Sequence, residues 1–227
     1  MKSQLVDFIS LLYPRVCINC NKGLTKNEEH LCLSCELSLP KSQHLTNKGE
    51  LLKKFAFQPK VTGAYAYWDY MKEGIVQKLI YGLKYGGKQD LGVWLGRRFG
   101  NEIKGVMGQC VDLIVPIPLH SKRLQRRGYN QSDRIAEGVG EALHVSVGID
   151  VAIRYKETTT QTHKARINRW KNMHSVFKVI DPESVNLKNI LIVDDVITTG
   201  ATLGVFCDEL AKHDPTSLTI AALASGK

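Results

Sequence analysis

The sequence predicts an α/β protein: a parallel β-sheet with helices on both faces, carrying a small four-cysteine module at its N-terminal end. Three observations predict it. From Val111 onward short apolar runs alternate with segments of helical periodicity, the texture of strand–helix–strand units. NILIV (189–193) is a continuous apolar run of the kind a strand buried on both faces requires. Cys17, Cys20, Cys32 and Cys35 form C-x2-C-x11-C-x2-C in a stretch too short for a core of its own.

The cysteine module comes first. Two C-x2-C knuckles can present four thiolates to one tetrahedral Zn2+, because each tight turn holds two sulfurs a ligand's width apart. Asn19 and Gly23 suit such turns. Disulfides and two separate redox dithiols are the competing chemistries. MKSQLVDFISLLYP has one early lysine and a short apolar stretch that Asp7 interrupts, with no A-x-A-like site after it. No signal peptide is therefore expected, and a reducing cytoplasmic location disfavours disulfides. Four thiolates leave no open position, so the expected zinc site stabilises and does not catalyse. His30 is close enough to substitute as a ligand or is an ordinary surface residue. The expected zinc-binding module, double zinc ribbon-like, covers residues 1–45, and the polar stretch KSQHLTNKGE (41–50) reads as linker.

The remaining elements follow in order. VTGAYAYWDY (61–70) alternates enough for a strand or hairpin. IVQKLIYGLKY (75–85) has Ile75, Leu79, Ile80 and Leu83 at helical spacing, and LGVWLGRRFGNEI (91–103) repeats the pattern after a Gly86-Gly87 break. VDLIVPIP (111–118) is a buried-strand candidate followed by a basic loop. Asn130 or Ser132 can cap a helix carrying Ile135, Val139 and Leu143. Residues 145–160 read as β-rich and polar, and VFKVI (176–180) as a short strand. After NILIV a helix runs from about Ala201 to Lys212, and SLTIAALAS (217–225) supplies the last strand.

Composition limits what such a chain can do. Its 227 residues and 25.4 kDa accommodate one full domain plus an appendage. Hydrophobic residues make up 43% and charged residues 23%, enough to bury a core and unlike fibrous or disordered chains. No apolar run approaches the roughly 18 residues of a spanning helix, so membrane insertion is not expected. A net charge of +9 and a pI near 9.2 favour anionic partners such as phosphorylated metabolites or nucleic acid. RLQRRGYNQ (123–131) and HKARINRWK (163–171) concentrate that charge in two patches.

The stretch ILIVDDVITTGATL (190–203) carries the chemistry. An apolar run ends on Asp194 and Asp195, a Thr/Gly loop follows, and a helix begins. At the carboxyl end of a parallel strand, this order sets two carboxylates beside free backbone N–H groups and a helix N-terminus. The loop Thr198-Thr199-Gly200-Ala201-Thr202 is suited to grip a phosphate: Gly200 lets the backbone approach, and the threonine hydroxyls add donors. The carboxylates can accept hydrogen bonds from sugar hydroxyls or assist a hydrated Mg2+. A receiver domain would place the acids on its first strand with several units to follow, yet only 32 residues follow Asp195. A P-loop would need a lysine before the helix, and none lies between Asp195 and Leu210.

This stretch resembles the 5-phosphoribosyl-1-pyrophosphate (PRPP) signature of type I phosphoribosyltransferases. Together with the four-cysteine start, LKYGG (83–87), VPIPLH…RLQRRGYNQ (115–131) and TQTHKARINRWKN (160–172), the chain resembles the ComF family, phosphoribosyltransferase-like proteins associated with natural competence and DNA uptake. The resemblance implies a Rossmann-like type I phosphoribosyltransferase fold over 46–227, with a hood or lead-in at 46–105 and a PRPP-binding core at 106–227. It implies that Asp194 and Asp195 contact the ribose hydroxyls and serve catalysis, while Thr198, Thr199, Gly200, Ala201 and Thr202 bind the 5-phosphate. It implies a pyrophosphate loop opening at Leu119 and His120 and reaching Arg123, Arg126 and Arg127, whose guanidinium forks fit phosphate; a solvated basic helix end is the plainer account of those arginines. Gln161, Arg166, Arg169 and Asn172 fall where the family has its flexible loop.

Two functions fit the resemblance. One is a Mg2+-dependent phosphoribosyltransferase that releases pyrophosphate from PRPP to an unidentified acceptor. The other is a non-catalytic PRPP-binding adaptor that engages single-stranded DNA or competence helicase-type proteins. A glutamine-dependent amidotransferase would need an N-terminal catalytic cysteine, and Met1-Lys2-Ser3 offers none. Tyr65, Tyr67, Trp68, Tyr81 and Tyr85 can stack on a base or belong to the core.

Overall fold

The computed structural model describes residues 15–108, 110–156 and 176–226. Four strands, β1 (Val61–Asp69), β2 (Leu113–Pro116), β5 (Asn189–Ile197) and β6 (Ser217–Ser225), form one sheet in the order β1-β6-β5-β2, every pair parallel. A separate antiparallel pair joins β3 (Ala152–Arg154) to β4 (Phe177–Val179). The central strands read as they must when both faces are covered: every residue of β6 is buried. Along β5, Leu191 and Val193 join one apolar cluster while Ile190 and Ile192 join the other, the period-two division of a strand.

On the first face lie α3 (Ile75–Tyr85), α4 (Gln89–Lys104) and α6 (Gln131–Leu143). Helices α4 and α6 meet backbone to backbone. A Cβ placed on Gly96 would stand 2.0 Å from the Ile135 carbonyl oxygen, and one on Gly138 would stand 2.0 Å from that of Val93. The opposite face is covered by α7 (Ala201–Ala211), the β3–β4 pair, and Leu51 and Phe55 from the segment before β1.

The N-terminal module folds into the first cluster. Cys17, Leu31 and Cys35 are buried together with Leu79, Leu83 and Trp94. A bridge pairs Val16 with Gly23, and the short helix α1 (Leu33–Leu37) follows the second knuckle. Glu28 folds the intervening loop back, accepting from Leu33 N–H at 2.7 Å and Thr25 N–H at 2.8 Å.

Three segments differ from their sequence reading. The stretch 41–50 is no free linker: Ser42 N–H donates to the Tyr67 carbonyl at 2.9 Å, Leu45 is buried, and α2 (Lys48–Leu52) starts at an Asn47 cap. Strand β2 keeps four residues of the apolar run 111–118. Strand β5 continues through both acids to Ile197, because Asp194, Val196 and Ile197 pair with Ala222, Ala224 and Ser225. Ladder pairing here overrides the weak strand preference of aspartate. No helix among the described residues is long and apolar enough to cross a membrane.

Candidate functional site

A cleft opens at the carboxyl ends of β2 and β5, where open α/β sheets bind ligands. Ile117 N–H donates to the Val193 carbonyl at 2.9 Å, so the chain leaving β2 stays beside β5. One wall is the segment from Ile117 to Leu119 with α5 (Ser121–Arg127); the floor and far wall run from Asp194 to Leu203.

The acid pair sits at the base. Asp195 is 5% exposed, and Lys84 Nζ stands 2.9 Å from its Oδ2, an ion pair without the alignment of a directed hydrogen bond. Asp194 Oδ1 accepts from the Asp195 backbone N–H at 2.8 Å and from Ser132 Oγ at 3.2 Å. Asn130 sets that serine in place: its Oδ1 accepts Ser132 N–H at 3.2 Å as the cap of α6, and its Nδ2 donates to the Ile117 carbonyl at 3.0 Å. Burial, then the neighbouring Asp195 charge, pushes the Asp194 carboxyl up to about 7, against the opposing pull of the Asp195 N–H, Lys84 and Ser132.

The loop after β5 exposes Thr198 and Thr199. Gly200 has φ 77°, the left-handed region, and a Cβ there would press the Phe55 ring at 3.2 Å, so glycine is required on both counts. It caps α7; Thr199 Oγ1 accepts the Ala201 N–H at 3.3 Å, and Thr202 and Leu203 of the same first turn border the cleft. Lys54 Nζ backs the loop, donating to the Thr198 and Gly226 carbonyls.

Five of the expected anion-binding positions separate into two groups. Leu119, Arg123 and Arg127 line the cleft, the two arginines one helical turn apart on α5. Arg127 Nη1 donates to Gln131 Oε1 at 2.6 Å and its guanidinium lies 5.4 Å from the Tyr85 ring centre. Arg126 and His120 are not among the lining residues. Arg126 is exposed, while buried His120 caps α5, its Nδ1 accepting Lys122 N–H at 3.3 Å. Lys84 and Arg154 also line the cleft, which among the described residues then has four cationic side chains against two carboxylates. Sequence reasoning missed both. Lys84 lies within the quoted LKYGG, where a lysine in the last turn of a helix reads as a dipole partner; Arg154 ends a three-residue strand with no motif around it. Gln161, Arg166, Arg169 and Asn172 lie outside the described residues. Of the aromatic candidates, Tyr65, Tyr67 and Trp68 are core, and Tyr81 and Tyr85 are exposed with ring centres 4.8 Å apart.

A second constellation is the cysteine cluster, in which all four Sγ atoms lie within 4.8 Å of one another and Cys20 and Cys32 Sγ are 3.6 Å apart. Four sulfurs around one ion at about 2.3 Å stand about 3.8 Å apart, so this set fits tetrahedral zinc. Burial pushes the Cys17 thiol up, but the N–H groups of Cys20, Cys32 and Asn19 outweigh it and bring it to about 6. Cys35 receives the lowering Asn19 amide, yet burial and the other three sulfurs push it up to about 12. Four thiolates thus need a cation among them. His30 instead meets α4, with Nε2 3.7 Å from Asp90 and the ring edge-on to Trp94.

The phosphoribosyl transferase domain family matches residues 124–227. The DNA utilization protein YhgH of Escherichia coli (strain K12) is 29% identical over 209 residues, 90% of this chain and 88% of that one. Competence protein ComFC of Bacillus subtilis (strain 168) is 26% identical over 194 residues, 83% of this chain and 75% of its own. Among solved structures, the glutamine PRPP amidotransferase from B. subtilis aligns at 15% identity with a TM-score of 0.44, covering 63% of this chain and 30% of that one.

Proposed function

This chain belongs to the ComF family of phosphoribosyltransferase-like proteins linked to competence and DNA utilization, and on that premise we propose that it binds PRPP as its magnesium complex and transfers the phosphoribosyl group to an acceptor. The observation that carries this reading is the cleft itself: an acid pair and a glycine-capped helix N-terminus on one wall, with Arg123 and Arg127 on the other.

Each part of such a ligand has a partner of the right chemistry. The first-turn N–H groups of α7 and the Thr198 and Thr199 hydroxyls suit the 5-phosphate. Asp194 and Asp195 accept from the ribose hydroxyls, and Arg123 and Arg127 take the pyrophosphate oxygens. In transfer, the bond from C1 to the pyrophosphate oxygen breaks with its electron pair leaving on pyrophosphate. The acceptor's lone pair closes the new bond at C1, and its proton is released. The arginines stabilise the departing charge, and the carboxylates hold the ribose as positive character develops at C1. Magnesium supplies further charge neutralisation on the pyrophosphate when it enters with the substrate. The four cysteines would hold zinc as a closed thiolate set that stabilises the fold.

Calorimetric titration of PRPP with Mg2+, followed by a pyrophosphate assay across an acceptor panel, tests the reading. Binding with pyrophosphate release supports a transferase. Binding that survives undiminished in an Asp194→Asn/Asp195→Asn variant would defeat the site assignment.

The net charge of +9 and the relatives' names favour a second reading, a non-catalytic PRPP-binding adaptor that engages single-stranded DNA. It expects PRPP binding without turnover, and DNA affinity that falls steeply with salt.

A further inference from the structure

Helix α3 touches both the cysteine cluster and the acid pair. Near its start, Lys78 Nζ donates to the Asn19 carbonyl at 3.0 Å and to Asn19 Oδ1 at 2.9 Å. Asn19 lies inside the first knuckle, and its Nδ2 donates to Cys35 Sγ at 3.2 Å. Six residues further, about 9 Å along the axis, Lys84 meets Asp195 Oδ2 at 2.9 Å. The intervening turns are packed into the core. Leu79, Ile80 and Leu83 are buried in one cluster with Cys17, Leu31 and Cys35, and the Tyr129 hydroxyl donates to the Leu83 carbonyl.

Lys84 is also set apart from the other cations of the cleft. Arg123 and Arg127 reach the cleft from α5, and Lys84 from α3 is in ion-pair contact with the buried acid. Two adjacent carboxylates repel each other at this depth, and a buried charge needs a partner held in place. A lysine on a flexible loop would provide charge without position; a lysine on a packed helix provides both.

We infer that Lys84 is a positioning residue for the Asp194–Asp195 pair, and that α3 ties its placement to the four-cysteine cluster through Lys78 and Asn19. The ammonium fixes the Asp195 carboxylate, so the ligand's hydroxyls meet an acid pair already in place. Movement of the first knuckle is passed along α3 to Lys84, so the state of the cysteine site is felt in the cleft. The ligand's identity, and nothing else in this inference, rests on the phosphoribosyl reading.

The test is a double-mutant cycle on the full-length, zinc-loaded protein, read by urea unfolding. Lys84→Met and Asp195→Asn are combined first in the wild-type background and then in Lys78→Met, with zinc content measured throughout. Expected in the wild-type background is a coupling of about tenfold in the folding equilibrium constant, a size typical of contacting partners. In Lys78→Met, with zinc retained, it falls to within about twofold. Asp195→Ser and Lys78→Gln serve as second variants should either first choice fail to fold. Calorimetry with Mg2+ and PRPP adds the functional readout: Lys84→Met weakens binding about tenfold or more and Lys84→Arg recovers most of it, the mark of a positioned charge. Absence of coupling in the wild-type background overturns the role of Lys84. Equal coupling in both backgrounds overturns the link to the cysteines. Wild-type protein that binds no PRPP but keeps both cycle results defeats the phosphoribosyl reading alone.

Discussion

Ser132 Oγ donates a hydrogen bond to Asp194 Oδ1 at 3.2 Å, joining the first turn of α6 to β5 across 62 residues of sequence. The serine is fully buried, and its own N–H is taken by the Asn130 cap. The cap that starts α6 therefore also orients one of the two cleft acids.

The raised Asp194 carboxyl makes a pH prediction. Its folded value of about 7 lies above the ordinary 3.8, so between those limits the folded chain keeps a proton the unfolded chain has released. The stability this group contributes is complete below pH 4 and is lost as pH rises to 7. Urea midpoints of the ligand-free protein measured across that window should fall more steeply in wild type than in Asp194→Asn. A ligand that requires the ionised pair should release protons on binding at pH 6.5, visible as a dependence of binding heat on the buffer's ionisation enthalpy.

The arginines of α5 divide by face. Arg123→Ala and Arg127→Ala should each weaken Mg–PRPP binding about tenfold, the scale of a charge-assisted contact. Arg126→Ala should leave affinity within about twofold, since that side chain points to solvent away from the cleft. Equal losses at all three positions, measured by calorimetry, would show that charge in bulk and not the face of the helix matters.

Cys17 is fully buried within the main apolar cluster, so the metal site and the core should fail together. Cys17→Ser should lower zinc content below one equivalent and reduce the thermal midpoint by several degrees, at about 2–4 °C per kcal/mol for a chain of this size. Metal analysis and thermal unfolding of one preparation check both. Full zinc with an unchanged midpoint would refute four-thiolate coordination.

Gly138 allows α4 and α6 to touch. A methyl there would stand 2.0 Å from the Val93 carbonyl oxygen and 2.6 Å from the Arg97 nitrogen. Although alanine favours helix by about 1 kcal/mol over glycine, Gly138→Ala should destabilise by about 2–4 kcal/mol because backbone must move. A stabilised variant in urea unfolding would contradict this packing.

The sequence by itself determined the elements and the chemistry that is local. Ser217–Ser225 and Ile75–Tyr85 have the bounds their apolar periodicity indicates, and the span 190–203 announces acids, phosphate loop and helix in order. Such features are legible because alternation, caps and turn residues act over a few residues of chain. Tertiary structure alone decided that β5 runs on through Asp194 and Asp195, since the ladder that holds them comes from β6. It also decided that His120 turns inward as a helix cap, and that Arg123 and Arg127 share the cleft without Arg126. The Lys84–Asp195 contact spans 111 positions, and Gly96 meets Ile135 from a helix 39 positions away. No local pattern encodes such meetings, because they follow from how already formed helices pack on the sheet, where the shape of the whole interface selects which side chains face one another.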